Sequence, residues 1–318
     1  MNASSQASSR GALLQMLLGA SVISSSAVFV KLVQIGPAAS AFWRMALAAV
    51  ILLVVLGQPW RRGRLRHWRP EGRVLGLVML GAAFLALDLW LWHRSILYVG
   101  VGLSTLLANF QVFVLAGVGA IWLGERAGWK LWLGLSMALV GLALLLAPGW
   151  EHMDARFRIG VAYALAAALL YGGFLLAFRA AQARRGKTPN EALQWWLCLG
   201  SAAMLGAIVP FGGETLLPAS ARDWMILTAY AAIAQVLGWL VIGRAMPKLP
   251  AGVVGLCLLL QPLLAYVWDV LFFHKRLGGV ELIGIALSLA GIFLGLARGD
   301  QPLFGPRKDV GEAEDSST

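Results

Sequence analysis

RSILYVGVGLSTLLANFQVFVLAGVGAIWLGERAGWKLWLGLSMALVG (Arg94–Gly141) returns 150 residues later as RAMPKLPAGVVGLCLLLQPLLAYVWDVLFFHKRLGGVELIGIALSLAG (Arg244–Gly291). Without a gap, Arg94 aligns with Arg244, Gly102 with Gly252, Leu106 with Leu256 and Gln111 with Gln261. Further along, Arg126 aligns with Arg276, and Gly128, Gly134 and Gly141 with Gly278, Gly284 and Gly291. In a chain rich in Leu and Ala, chance yields scattered Leu and Ala matches. Matched Gln, Arg and Gly at one offset mark a duplicated unit. The earlier parts of the two halves match more loosely: Lys31 corresponds to Arg179 at an offset near 148, and the Trp43 region to Trp195–Trp196.

The duplicated unit is a membrane unit. Of 318 residues, 59% are apolar and 13% charged, with a mean hydropathy of +0.76. Soluble domains run at roughly 45–50% apolar and about 25% charged. This composition excludes a soluble enzyme, a disordered chain and a secreted disulfide scaffold. Cys198 and Cys257 lie inside apolar runs and read as free thiols packed like small hydrophobes. A bilayer core of about 30 Å needs a helix of about 20 residues. Apolar stretches of that size fall at Gly11–Val30, Pro37–Gly57, Arg73–Trp92, Ser95–Gly124 and Leu131–Trp150 in the first half. The second half supplies Ile159–Phe178, Ala192–Gly213, Trp224–Gly243, Leu249–Trp268 and Leu277–Ala297. The expected fold is therefore an all-α polytopic membrane protein of ten transmembrane helices. Residues 1–10 form a cytoplasmic tail, 11–150 the first repeat, 151–298 the second, and 299–318 a disordered cytoplasmic tail. The first apolar stretch has one preceding positive charge, Arg10, and no small-x-small cleavage site, so it reads as an uncleaved helix.

The net charge of +11 is an orientation signal. With both termini in the cytoplasm, 18 of the 26 Lys and Arg residues fall in inside segments and 7 in outside ones, with Arg44 inside a span. That bias predicts N-in, C-in and argues against a nucleic-acid partner. Five helices per repeat make the two halves enter the membrane from opposite sides. This is an inverted 5+5 repeat about a pseudo-two-fold axis in the membrane plane, a plan typical of secondary transporters. The outside pair Lys275–Arg276 is then the mate of the inside Glu125–Arg126.

Several stretches carry a family resemblance: SSSAVFVKL (Ser24–Leu32), GPAASAFWRMALA (Gly36–Ala48), LWHRSILYVGVGLSTLLANFQVFV (Leu91–Val114) and GERAGWKLWLGLSMALVGLALLL (Gly124–Leu146). Together they resemble the EamA branch of the drug/metabolite transporter (DMT) superfamily, from about residue 12 to 297. The resemblance implies ten helices, an inverted repeat and export of small metabolites such as amino acids, in a multi-pass protein of the bacterial inner (plasma) membrane. It implies a central cavity built mainly from helices 1, 3, 4, 6, 8 and 9, with helices 5 and 10 peripheral. The family often has Glu at the helix 4–5 junction of both repeats; here Glu125 has Lys275 as its mate.

Within that frame the candidate site residues are few. Asp88 lies deep in the third span, where a charge costs about 2.5–3.5 kcal/mol on insertion scales. It reads as a proton-coupling or substrate-amine site, or as an interfacial partner of Arg94. Trp92, four residues on, shares its face. Arg44 in the second span always carries charge, so it holds a structural hydrogen-bond or ion-pair role, a gate, or a contact to an anionic substrate. Gln111 and Gln261 are repeat mates near mid-helix, serving as substrate contacts or as interhelical glue. Pro262 predicts a kink in the ninth helix; Val112 occupies its place in the fourth. Ser24, with Ser21, Ser25 and Ser26, marks close packing or binding. Tyr171 precedes the Gly172–Gly173 pair, Trp239 offers a stacking surface, and Asp269 is an interfacial or gate residue. Gly134, Gly141, Gly284 and Gly291 read as smooth faces for helix packing at a repeat or dimer interface.

The expected activity is secondary active export by alternating access, with protons as a possible coupling ion and no cofactor. The unit is a monomer or homodimer. The alternatives are a facilitative channel or uniporter and an intramembrane enzyme. No Walker A pattern is present. His67, His93, His152 and His274 are scattered without metalloprotease spacing, and GLSMA (Gly134–Ala138) lacks the last Gly of a nucleophile elbow.

Overall fold

The computed structural model of the chain describes residues 3–61, 68–125, 128–146, 155–274 and 278–296. The segment read as a disordered tail, 299–318, lies outside the described residues, as do Arg126, Lys275 and Arg276. Among the described residues all regular structure is helical. The first half comprises α1 (Ala3–Ser24), α2 (Ser26–Leu32), α3 (Pro37–Arg61), α4 (Gly72–Ala108), α5 (Gln111–Ile121) and α6 (Trp129–Leu146). The second comprises α7 (Ala155–Arg184), α8 (Asn190–Ile208), α9 (Ala221–Tyr230), α10 (Trp239–Ala245), α11 (Ala251–Leu258), α12 (Leu260–Phe273) and α13 (Gly279–Leu296). Local signals set several starts. Pro37 is the first residue of α3, a position where its missing N–H costs nothing. Ser220 caps α9 by accepting the Asp223 N–H at 3.1 Å.

Among the described residues seven helical segments are long and apolar enough to cross a bilayer, and three shorter apolar helices (Gln111–Ile121, Trp129–Leu144, Leu282–Gly295) accompany them. The protein is a multi-pass membrane protein built almost wholly of helix.

The helical backbone of α4 is not one straight rod. The Ser104 hydroxyl donates to the Trp92 carbonyl at 3.3 Å. Twelve residues of straight helix would separate those groups by about 18 Å, so the chain folds back between them. The contacts with α7 agree. Phe84 lies against Gly173, and Tyr98 and Val99 against Gly160, an antiparallel run. Val114 then lies against Gly172 and Glu125 pairs with Arg179, a parallel run back along the same helix. The expected boundary between the third and fourth spans thus lies inside a segment whose backbone stays helical. No proline marks it: the stretch His93–Val99 is mostly apolar and suits helix as well as turn.

The helix pairings follow a pseudo-two-fold plan. α3 packs on α8 and α6 on α13, each pair joining equivalent parts of the two halves, and α5 packs on α11, the later part of the fourth span against the earlier part of the ninth. The α4–α7 pairing has its counterpart in α1 against α10 and the helical segment before it. The glycines of α6 and α13 display the axis most directly. A Cβ on Gly134 would meet the Gly291 carbonyl at 2.5 Å, and one on Gly141 would meet the Gly284 carbonyl at 2.5 Å. Each glycine therefore crosses the repeat mate of the other, as an isologous contact requires. Ser288 adds a hydrogen bond to the Ala138 carbonyl at 3.1 Å. These glycines lie at the interface between the repeats.

Gly134→Leu or Gly291→Leu should force the α6–α13 crossing apart and destabilise the protein by about 1–3 kcal/mol, the usual cost of overpacking. Gly76→Leu, where an added Cβ meets nothing within 4 Å, should stay within about 0.5 kcal/mol of the parent. Thermal unfolding in detergent measures both.

Candidate functional site

The site is organised by two helix breaks at equivalent places. α4 gives way to α5 at Asn109–Phe110, and α11 to α12 at Leu259, which is 150 residues after Asn109. At the first break, Phe110 N–H bonds the Leu107 carbonyl at 3.0 Å and Val112 N–H the Asn109 carbonyl at 3.2 Å, a three-residue spacing. At the second, Leu259 N–H bonds the Leu256 carbonyl at 3.2 Å with the same spacing. Pro262 accounts for the second break, because it brings no N–H to the ladder. The first break occurs without a proline. There the Asn109 amide donates to the Thr105 carbonyl at 2.7 Å, which its own backbone N–H also bonds, and such competition bends helices.

Gln111 and Gln261 sit just past these breaks, one in each repeat. Gln111 is 4% exposed and its Oε1 is sealed without a hydrogen-bond partner. Gln261 is half-buried and its Nε2 is likewise sealed and unpartnered. Tyr171 brings its hydroxyl into the range of the Gln261 side chain and stands within electrostatic reach of Asp88 and Arg44. Asp88 is 6% exposed and accepts no hydrogen bond from a described residue. Its expected interfacial partner Arg94 lies instead over the Trp90 ring, 5.2 Å from the centroid.

Arg44 reaches across from α3. Its Nη1 donates to the Tyr230 hydroxyl at 2.8 Å, and its guanidinium lies over the same ring at 5.2 Å. Its Nε is sealed and unpartnered. Arg44 acts electrostatically on Asp88, His93, Tyr171 and Cys198. Among the described residues it forms no direct ion pair; those present are Arg179–Glu125 and Arg244–Glu191. One cation and one anion thus share a buried polar region without neutralising each other in contact.

Three further polar residues belong here, and sequence reasoning missed them. Gln194 and Gln235 are fully buried, both amides lie on Cys198 Sγ, and both Oε1 atoms lack partners. Gln235 lies in a π-helical stretch, Ala231–Gly238, between α9 and α10. Such stretches occur often at functional sites. The signal available was the polar pair itself: Gln194 and Gln235 each interrupt an apolar span, as Gln111 and Gln261 do. His93 is the third, with a sealed and unpartnered Nδ1.

The remaining candidates have other surroundings. Trp92 is half-buried with its ring 5.0 Å from that of His93. Trp239 is 4% exposed and packs edge-on against Phe174 and Phe178. Ser24 accepts the Trp268 indole N–H at 2.7 Å and donates to the Ser21 carbonyl at 2.6 Å, tying α1 to α12. The side chain of Asp269 lies outside the described residues. A surface groove of about 450 Å³ lined by Trp224, Met225, Thr228, Ala229 and Ala232 touches none of these residues. Among the described residues no group of His, Cys, Asp and Glu is arranged to hold a metal ion.

Both halves of the chain match one family: the EamA-like transporter family aligns with residues 10–147 and again with 158–296. The chain belongs to the EamA-like transporter family. It is a transporter-family membrane protein of the DMT superfamily and not an enzyme. An uncharacterized transporter from Archaeoglobus fulgidus is 24% identical over 226 residues, 71% of this chain and 77% of that protein. Protein RarD from Streptomyces exfoliatus is 23% identical over 256 residues, 79% of this chain and 76% of that one. A protein crystal structure shares the fold with a TM-score of 0.76 at 18% identity, covering 90% of this chain and 97% of the other.

Tyr230→Phe keeps the ring under Arg44 and removes the hydroxyl acceptor bound to its Nη1. The expected loss is about 1.5–3 kcal/mol of stability, the range for hydrogen bonds to charged groups. In an Arg44→Met background the same change should cost little, and the double-mutant cycle measured by unfolding in detergent reads the difference.

Proposed function

We propose that the protein is a secondary active transporter that exports amino acids or similar small metabolites across the bacterial inner membrane by alternating access. Seven long and three shorter apolar helices, with the reversal inside α4, support ten crossings. The charge bias supports N-in, C-in. The duplicated halves supply the two rocking elements, with the site between them.

One observation carries the reading. Gln111 and Gln261, repeat mates at paired helix breaks, each hold a sealed amide atom with no partner, and Tyr171 links Gln261 to Asp88 and Arg44. Buried polar groups are normally satisfied, and a helix break in a membrane is tolerated where it lines a cavity or site. A zwitterionic solute supplies what these groups lack. Its ammonium suits Asp88 and the open Oε1 of Gln111; its carboxylate suits the Gln261 Nε2 donor and the free Nε edge of Arg44, a natural carboxylate fork.

Coupling follows from Asp88 having one carboxylate for two cations. It binds the substrate ammonium or a proton, but not both together. A proton arriving from outside releases the substrate there, and the protonated form resets inward. Arg44, Tyr171 and His93 are the titratable or charged neighbours that tune this exchange.

In proteoliposomes, an imposed ΔpH should drive accumulation of a mixed amino-acid pool by the parent protein. Asp88→Asn should abolish that accumulation, and Asp88→Glu, which keeps the carboxylate, should retain part of it. Undiminished ΔpH-driven accumulation by Asp88→Asn would remove Asp88 from coupling. Downhill movement without accumulation in the parent would identify a uniporter.

A further inference from the structure

Outside the polar cluster, two carboxylates tie one repeat to the other, one at each end of the molecule. Glu125 belongs to the first repeat. Its Oε2 accepts the N–H of Ala251, the first residue of α11 in the second repeat, at 2.6 Å. Its Oε1 pairs with Arg179 Nη2 at 2.7 Å, and that nitrogen also donates to the Leu249 carbonyl at 2.8 Å.

The opposite end repeats the arrangement with the roles exchanged. Glu214 belongs to the second repeat. Its Oε2 accepts the Ala39 N–H at 3.0 Å, in the first turn of α3 of the first repeat. Alongside, Asp223 accepts the Gln34 N–H at 2.9 Å, and the Trp43 indole donates to the Leu216 carbonyl at 2.6 Å.

Each carboxylate therefore lies on a helix N-terminus of the other repeat, where unsatisfied N–H groups and the helix dipole favour an anion. Each also rests against a glycine. A Cβ on Gly119 would meet Glu125 Oε2 at 2.5 Å, and a Cβ on Gly36 would collide with the Glu214 carboxylate. The duplication does not account for this reciprocity, because the residue 150 after Glu125 is Lys275 and the residue 150 before Glu214 is Arg64. The two ends reach the same chemistry from unrelated positions.

We propose that Glu125 and Glu214 are opposed latches of the transport cycle, each setting how often its own end opens. The proposal rests on alternating access. An end cannot open until its carboxylate leaves the helix that it caps, and alternating access forbids both ends to be open together. Weakening one latch shifts the population toward that open state. Weakening both returns the balance.

Hydrogen–deuterium exchange on the full chain in lipid nanodiscs tests this, reading peptides over residues 119–125 and 249–258 for one end and 34–43 and 213–224 for the other. Glu125→Gln should speed exchange at its own end roughly tenfold, as loss of a charge-assisted hydrogen bond allows, and slow it at the Glu214 end. Glu214→Gln should do the reverse. The double variant should restore both ends toward the parent rates. Gly119→Ala and Gly36→Ala, which displace the carboxylates without removing them, should reproduce the respective single effects. Additive loosening of both ends in the double variant would mean local fraying and overturn the latches, as would unchanged rates in all four single variants. If ΔpH-driven transport fails while the reciprocal exchange pattern holds, the transport reading falls and the latches stand.

Discussion

A bilayer offers no water to a buried polar group, so each such group inside this bundle has to be satisfied by the chain or left for a ligand. The rest of the architecture follows from how that demand is met. Some hydroxyls in the spans are turned onto their own helix, as Ser21, Ser24 and Ser25 are onto carbonyls three or four residues back, and others onto a neighbouring helix, as Ser201 is onto Ala82 and Ser288 onto Ala138. The charged groups at the ends are paired or seated on helix termini. In the middle, the demand is met only in part: Arg44, Gln111, Gln194, Gln235 and Gln261 all retain a sealed atom with no partner. Unpartnered atoms also occur elsewhere, at Ser40, Arg179, Gln182 and Trp196; what distinguishes the site is that Arg44 and Asp88 lie there without an ion pair between them.

The pseudo-two-fold makes this possible. The Gly134–Gly291 and Gly141–Gly284 crossings let the α6 and α13 backbones touch, which keeps the two halves joined along their far edge. With that edge closed by glycine, the inner helices are free to carry breaks. Both repeats break at the same place, yet by different means, a proline in one and an asparagine amide in the other. The shared position points to the break itself as the requirement.

Symmetry stops where the chemistry begins. Asp88 and Arg44 both come from the first repeat, while Tyr230, Gln194 and Gln235 come from the second. A symmetric scaffold therefore encloses an asymmetric set of charges. At the ends, Glu125 and Glu214 each reach the N-terminus of a helix of the other repeat, although neither has a carboxylate as repeat mate.

The sequence by itself determined the membrane class, the duplication and the scarcity of charge that singled out Arg44 and Asp88, because these are properties of composition and period. It marked Gln111 and Gln261, since an amide repeated at a fixed offset stands out in apolar surroundings. It placed the break between the third and fourth spans just after Trp92, where the chain does reverse before Ser104, but not that the backbone stays helical through the reversal. The Gln194–Cys198–Gln235 cluster was not legible because Gln194 and Gln235 are 41 residues apart and are joined only by the packing of α8 on the π-helical stretch. The packing of Trp239 on phenylalanines and the seating of Glu125 on α11 likewise rest on contacts between segments distant in the chain. Local pattern records which groups each helix carries; only the tertiary structure decided which of them meet, because in a bundle one helix's partners are chosen by the shape of the others.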